Sequence, residues 1–438
     1  MGIRVAVVTL GCAKNQVDTE YMLGVLSEAG YELCNEPDKA EVVIVNTCSF
    51  ITAAKEEALE TVLNLAEQGK ERKIIVAGCL AQQHARELVA ELPEASAFVG
   101  PGAIPELPDI VARVLRGERL VRIPAGPALL PQGLPRVRIS SGPVAYLKIA
   151  EGCNNRCTYC TIPSIKGPFA SRPMESILTE ARFLCRRGAR ELVLVAQDTT
   201  AYGLDLYGAY RLPELLRRLA ALPVDWLRLL YAYPTRLTPE LQEVMAGEPK
   251  VCAYLDLPLQ HVHPDILRLM GRGGTLGIAV ESIARLRKLL PDIALRSTFI
   301  VGFPGEKEEH FQRLLDFMTE IAFDWVGIFT YSPEEGTPAA GLPEQVPEEV
   351  KEERYHRAMM LQREITYRKN QSWVGREVKV LIEERKESEE PLAIGRSFRQ
   401  APEVDGVIYI SGSGVPGEFK RVLLKEVVDV YDLAGEEV

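Results

Sequence analysis

Val144-Ala145-Tyr146-Leu147-Lys148-Ile149-Ala150-Glu151-Gly152-Cys153-Asn154-Asn155-Arg156-Cys157-Thr158-Tyr159-Cys160 sets a short apolar strand directly before three closely spaced cysteines. Five more apolar runs follow: Glu191 to Ala196, Trp226 to Ala232, Tyr254 to Leu259, Leu295 to Gly302 and Trp325 to Tyr331. Between them Met174 to Arg187, Leu212 to Leu222, Asp265 to Met270, Ala279 to Leu290 and Glu308 to Ile321 carry a helical period. Six such units predict an incomplete (β/α)6 barrel, in which the loops at the strand C-terminal ends build the site. The cysteine loop is the first of these loops.

Upstream, short β-branched runs alternate with helical patterns: Arg4 to Leu10, Thr19 to Ala29, Val42 to Val45, Ala53 to Gln68 and Lys73 to Ala77. That order predicts a Rossmann-like parallel sheet covered by helices. Proline and glycine then crowd the stretch from Pro101 to Pro143, read as a last short helix and a linker. Downstream, a long polar helix pattern runs from Pro347 to about Trp373. Short alternating runs, Val378 to Ile382, Gly406 to Ser411 and Arg421 to Tyr431, then predict a small antiparallel β-barrel. The expected divisions are residues 1–125, 140–371 and 372–438.

The 438 residues are 47% hydrophobic and 26% charged, with a formal net charge of -10. No run is long enough to cross a bilayer, and no secretory signal is visible, so a cytoplasmic, membrane-free protein is expected. Nine cysteines without a signal argue against a disulfide framework and for metal or redox chemistry. An acidic chain disfavours nucleic-acid partners unless a local basic groove overrides the global sign.

Cys153, Cys157 and Cys160 can hold one face of a [4Fe-4S] cluster, and three protein ligands leave one iron open. That iron can take the amino and carboxylate groups of S-adenosylmethionine, whose cleavage gives a deoxyadenosyl radical. A zinc knuckle is the bland alternative, but structural zinc asks for a fourth ligand. Cys12, Cys48 and Cys79 each follow a predicted strand, so in a parallel sheet all three meet at one edge. They are candidates for a second three-cysteine cluster; the alternative is that thiols stand in strand ends because they pack. Cys34, Cys185 and Cys252 have no such placement and read as small hydrophobes.

Several stretches carry a family resemblance across nearly the whole chain: Leu10-Gly11-Cys12-Ala13-Lys14-Asn15, Asn46-Thr47-Cys48, Ala77-Gly78-Cys79, the barrel cysteine loop, and Phe299-Ile300-Val301-Gly302-Phe303-Pro304-Gly305-Glu306. The chain resembles the radical S-adenosylmethionine methylthiotransferases. The resemblance implies an auxiliary [4Fe-4S] cluster in the N-terminal domain that provides sulfur, a radical cluster in the barrel, and a C-terminal TRAM domain that grips substrate. Gly11 to Asp18 and Gly395 to Gly406 resemble the branch that places a methylthio group on the β-carbon of an aspartate in a small-subunit ribosomal protein. Ala13 stands where proline is common and Phe398 where tyrosine is common. An unidentified low-potential electron donor is also implied.

Contacts to S-adenosylmethionine are assigned by position. Gln197 and Asp198, at the mouth after the second strand, are expected near its amino group. Arg172 and Arg296 are candidates for its carboxylate, and Ile300 and Tyr159 for its adenine. Gln260-His261-Val262-His263 reads as polar pocket lining rather than a metal pair. From Ser372 onward nine positive residues face fourteen negative ones. This suits a basic ribosomal protein better than RNA, which asks for a cationic track with stacking aromatics. The rivals are the transfer RNA branch of the same family and a non-catalytic iron-sulfur scaffold that binds ribosomes.

Overall fold

A computed structural model describes residues 2–69, 72–140, 142–386, 392–412 and 414–438. The N-terminal segment holds β1 (Arg4–Thr9), α1 (Ala13–Glu28), β2 (Glu32–Leu33), β3 (Val42–Thr47), α2 (Thr52–Gln68), β4 (Lys73–Gly78), α3 (Cys79–Glu91), β5 (Ala95–Val99), α4 (Leu107–Leu115) and β6 (Leu120–Arg122). Its strands form one parallel sheet in the order β2-β1-β3-β4-β5-β6. β3 and β4 are buried almost throughout, which is why their apolar runs are unbroken.

The central segment begins with β7 (Val144–Lys148), β8 (Ala150–Glu151), α5 (Ile162–Lys166) and β9 (Ala170–Ser171). The repeating units follow as α6 (Met174–Arg186), β10 (Glu191–Val195), α7 (Leu204–Tyr207), α8 (Leu212–Ala220), β11 (Trp226–Leu229), α9 (Pro239–Gly247) and β12 (Tyr254–Asp256). α10 (Pro264–Leu269), α11 (Thr275–Leu289), β13 (Ala294–Val301), α12 (Glu308–Ile321) and β14 (Trp325–Thr330) complete them. The six strands stand where the apolar runs place them, as parallel triplets β7-β10-β11 and β12-β13-β14 joined by a Leu227 to Val251 bridge. α9, whose short Pro239–Gly247 pattern is weakly amphipathic, is an addition to the predicted set.

α13 (Glu348–Gln371) leads to β15 (Glu377–Lys386), β16 (Leu392–Arg396), β17 (Ile408–Ser411), β18 (Phe419–Val427) and β19 (Leu433–Glu437). They close a barrel in the order β15-β16-β17-β19-β18, in which β17 and β19 run parallel and the other pairs antiparallel. The predicted run to Tyr431 overshoots, because residues 428–432 form the turn that reverses into β19. Three of the counted glutamates, Glu387, Glu389 and Glu390, lie outside the described residues.

How the segments meet decides where chemistry can happen. The start of α2 docks on the C-terminal mouth of the barrel: the Thr52 N–H donates to Glu334 at 2.8 Å and Lys55 pairs with the same carboxylate at 2.6 Å. The 396–405 loop occupies the opposite mouth. There Arg396 pairs with Glu191, the first residue of β10, at 2.7 Å. The Tyr254 hydroxyl donates to Asp405 at 2.7 Å, and the Trp325 indole donates to the Arg399 carbonyl at 2.7 Å.

α1 lies between the N-terminal sheet and the barrel, so its polar residues Asn15, Asp18, Thr19 and Glu20 are buried. Tyr21 donates to Glu180 of α6 at 2.8 Å, and Arg136 of the linker bridges Glu20 and Glu180. Burial alone would raise the Glu180 carboxyl, but the Arg172 and Arg136 guanidiniums hold it at about 2. Glu151 is likewise held at about 2, by Lys148 and Lys166 acting against its burial. Both folded values lie below the unfolded one, so their stabilisation is complete above about pH 4.5 and is lost as pH falls toward 2. Thermal unfolding of the metal-free protein should therefore shift little above about pH 5 and steeply below about pH 4. Glu180→Gln should flatten that slope; an unchanged slope would remove the interface from the account.

Candidate active site

The three N-terminal motifs place cysteines at adjacent strand ends. Thr47 of β3 is level with Gly78 of β4, so Cys48 and Cys79 follow on neighbouring strands, and Cys12 follows β1 on the other side of β3. Neighbouring strands run about 4.8 Å apart. Gly11 has φ +90°, and a Cβ there would stand 2.7 Å from the Cys48 Cβ. Gly78 has φ +94°, and its Cβ would stand 2.5 Å from the Asn46 Oδ1. Glycine before cysteine is thus demanded twice, by conformation and by space.

The remaining motif residues tie these turns together. The Asn15 side chain donates to the Leu10 and Thr47 carbonyls at 2.9 and 3.1 Å, and the Asn46 side chain donates to the Asn15 carbonyl at 2.9 Å. The Thr47 hydroxyl donates to the Ala77 carbonyl at 2.6 Å. Burial raises the Cys48 thiol and pushes Cys79 up to about 12. Burial pushes Cys12 the same way, yet the Lys14 ammonium and the backbone N–H groups of Asn15 and Lys14 outweigh it and leave that thiol lowered.

The barrel loop is braced from several strands. Asn155 donates to Asp198 at 3.0 Å and accepts from Arg236 at 3.0 Å. The Phe169 N–H donates to Asn154 at 3.0 Å, and the Thr158 hydroxyl donates to the Leu269 carbonyl at 2.8 Å. Arg272 approaches the Cys157 sulfur at 3.8 Å and donates to the Pro258 carbonyl at 2.7 Å. Burial raises Cys153 and pushes Cys160 up to about 12.

Each donor set consists of three thiols, ligands that zinc and iron-sulfur clusters both take. Among the described residues, neither cysteine trio brings its sulfurs within 4.8 Å of one another. Three thiolates on one zinc would stand about 3.8 Å apart, given a Zn–S distance near 2.3 Å. Thiolates on separate corners of a four-iron cube are spaced more widely, and thiols raised by burial are the kind a metal deprotonates on binding. Cys34, Cys185 and Cys252 lie apart: Cys34 donates to the Glu36 carbonyl, and the other two pack with hydrophobic clusters.

The assigned cofactor contacts divide. Tyr159 and Ile300 come together at one hydrophobic cluster with Met270, Phe303 and Tyr331. Gln197 lies at the mouth, where it donates to Glu151. Asp198 does not offer a free carboxylate: its oxygens accept from Asn155, Arg236, Thr200 and the Ala201 N–H, so it braces the cysteine loop. The Arg172 guanidinium is engaged by Glu180 and the Lys148 carbonyl at the α1 interface. Arg296, third in β13, is shared between Asp256 and Asp405 and lines the acidic crevice beneath the C-terminal barrel with Glu403 and Asp432. It faces the mouth opposite the cysteines.

His261 and His263 have structural tasks. The His261 Nδ1 accepts from the His263 N–H at 2.9 Å. The Nδ1 atoms of His263 and His310 accept from the Asp265 and Lys307 N–H groups at 3.3 and 3.1 Å, capping α10 and α12. With Asp265 they bring three ligand atoms within 4.8 Å, although both imidazole Nδ1 atoms already accept backbone N–H groups.

Sequence reasoning missed the polar bridge between the two cysteine edges. Lys148 pairs with Asp18 and, at 2.7 Å, with Glu151; Lys166 pairs with Asp18 at 3.3 Å and lies within electrostatic reach of Cys12 and Cys79. Glu151 stands two residues before Cys153, a proximity visible in the sequence. Tyr231, two residues past β11, was also unremarked. Its φ of +60° is a left-handed strain costing roughly 1–3 kcal/mol. The Asp256 carboxylate, accepting from the Tyr231 N–H at 2.8 Å, fixes it, and the Lys14 ammonium lies 3.6 Å from its ring centre.

A barrel with a three-cysteine loop on its first strand defines a radical S-adenosylmethionine enzyme. Residues 147–318 match the Radical SAM superfamily, residues 4–100 the Uncharacterized protein family UPF0004, and residues 374–438 the TRAM domain. Ribosomal protein uS12 methylthiotransferase RimO of Moorella thermoacetica is 62% identical over 436 residues, 99% of each chain. The protein of the same description from Heliobacterium modesticaldum is 52% identical, covering 100% of this chain and 95% of its own. Among solved structures, the radical S-adenosylmethionine methyltransferase TsrM from Kitasatospora setae shares the fold, with a TM-score of 0.55 at 17% identity over 77% of each chain. The chain belongs to the family of the ribosomal protein uS12 methylthiotransferases RimO. Among the described residues, no helix is long and apolar enough to cross a membrane.

Proposed function

We propose that this chain installs a methylthio group on the β-carbon of an aspartate in ribosomal protein uS12, using two [4Fe-4S] clusters and S-adenosylmethionine. The reading is supported by two cysteine trios, one at neighbouring strand ends of the N-terminal sheet and one on the loop after the first barrel strands, with Asp18, Lys148, Glu151 and Lys166 paired between those elements. Cys153, Cys157 and Cys160 hold the cluster that meets S-adenosylmethionine, with Tyr159, Ile300 and Gln197 lining its place. Cys12, Cys48 and Cys79 hold the second. When bound, these groups supply the radical, the sulfur and the methyl carbon.

The protein's own residues bind, orient and exclude water. The target β-carbon carries no group that acidifies it enough for ordinary acid-base removal of its hydrogen, so radical abstraction is the fitting route. Docking of α2 and α1 on the barrel roofs the site and keeps water from a reactive radical. In the proposed division, 1–125 carries the sulfur site, 140–371 the radical site and 372–438 the substrate-docking barrel. Arg396 and Arg399 are withdrawn into the barrel, so the outer surface of that last segment is more acidic than its composition suggests. Such a surface steers a basic ribosomal protein more than it binds it.

The test is incubation of reconstituted holoprotein with uS12, S-adenosylmethionine and a low-potential reductant under anaerobic conditions. Mass spectrometry should show uS12 gaining a methylthio group at an aspartate. Modification of transfer RNA with uS12 left untouched would overturn the reading, and absence of deoxyadenosine would favour a scaffold.

A further inference from the structure

We propose that Lys14 is the receptor for the carboxylate of the substrate aspartate, an inference that rests on the functional reading above. A carboxylate drawn into a water-excluded site needs a cationic partner. Most cations around the mouth are already matched: Lys148 and Lys166 by Asp18 and Glu151, Arg172 by Glu180, and Arg236 by Asp198. Arg272 is turned to the Pro258 carbonyl and Cys157.

Lys14 differs from all of them. Among the described residues, no carboxylate lies within ion-pair distance of it, and its nearest side-chain companion is Tyr231, whose ring centre is 3.6 Å from the ammonium. Lys14 is half-buried. It stands two residues past Cys12, while Tyr231 belongs to the barrel mouth. The ammonium therefore sits where the N-terminal cysteine edge meets the barrel mouth. A carboxylate held there keeps the neighbouring carbon between the sulfur side and the radical side. Tyr231, kept in its strained conformation by Asp256, fixes the place of the lysine from across the gap.

The experiment is a double-mutant cycle read by fluorescence anisotropy on anaerobic holoprotein. Labelled peptides carry the uS12 target sequence with its aspartate, or with asparagine in its place. Wild type should bind the aspartate peptide at least about tenfold more tightly, the scale of one charge-assisted contact. Lys14→Met with wild-type iron content should bind both peptides alike, and Lys14→Arg should recover part of the preference. A Lys14→Met protein that keeps iron and keeps the preference would overturn the proposal. Should that variant lose iron, the wild-type comparison decides, because no preference for aspartate over asparagine overturns it too. Methylthiolation of uS12 by wild type is measured in parallel; if it occurs while the preference survives Lys14→Met, only the role of Lys14 falls.

Discussion

Cys157→Ala protein is expected to lose reductive cleavage of S-adenosylmethionine entirely while keeping iron at the N-terminal edge, and Cys48→Ala protein is expected to do the converse. The two trios lie on separate elements, one on the loop after β7 and one on three strand ends of a different sheet. Loss of one thiolate from a three-cysteine set leaves a cluster with two protein ligands, too few to hold it. Total iron should fall by about half in each variant, from two four-iron clusters to one. The Cys157 variant should release no deoxyadenosine. The Cys48 variant should release it without transferring sulfur. Iron analysis with paramagnetic resonance separates the outcomes, and full iron in both variants would sink the two-cluster assignment.

The placement of the cysteines at strand ends and on the first barrel loop was legible because their spacing and their place after apolar runs are properties of the local sequence. The partners of Arg172 and Arg296 were not, because an arginine's partner is whichever carboxylate the fold brings to it. Arg172 is engaged by Glu180 in a pocket that Tyr21 of α1 and Arg136 of the linker also enter. Arg296 meets Asp405 from a segment more than one hundred residues away. Helix α1 shows the same limit in the fold. Its predicted start at Thr19 falls six residues late, since Asn15, Asp18 and Glu20 are polar yet buried between two domains, and a period of apolar residues cannot register that. The 395–406 stretch, which resembles one family branch, folds as the plug of the far mouth, with Arg396, Arg399 and Gln400 fully buried.

That plug sets up the largest stability effect. Glu191→Gln should destabilise the protein by about 3–5 kcal/mol, because it strips the counter-charge from buried arginines while preserving shape. Glu191 is fully buried and accepts from Arg228 at 2.6 Å and from Arg396 at 2.7 Å. Arg396 retains Glu383, whereas Arg228 is left with the Phe398 carbonyl and the Tyr254 ring and, among the described residues, no other carboxylate. Burial would raise the Glu191 carboxyl, yet the two guanidiniums hold it below the ordinary range, so its support is lost as pH falls through that lowered value. If uncompensated charge is the cause, Glu191→Gln combined with Arg228→Met should recover much of the loss, since the two charges then leave together. Denaturant titration of the single and double variants measures both. A double variant no more stable than Glu191→Gln would show that the shape of the plug, rather than its charge balance, holds the far mouth shut.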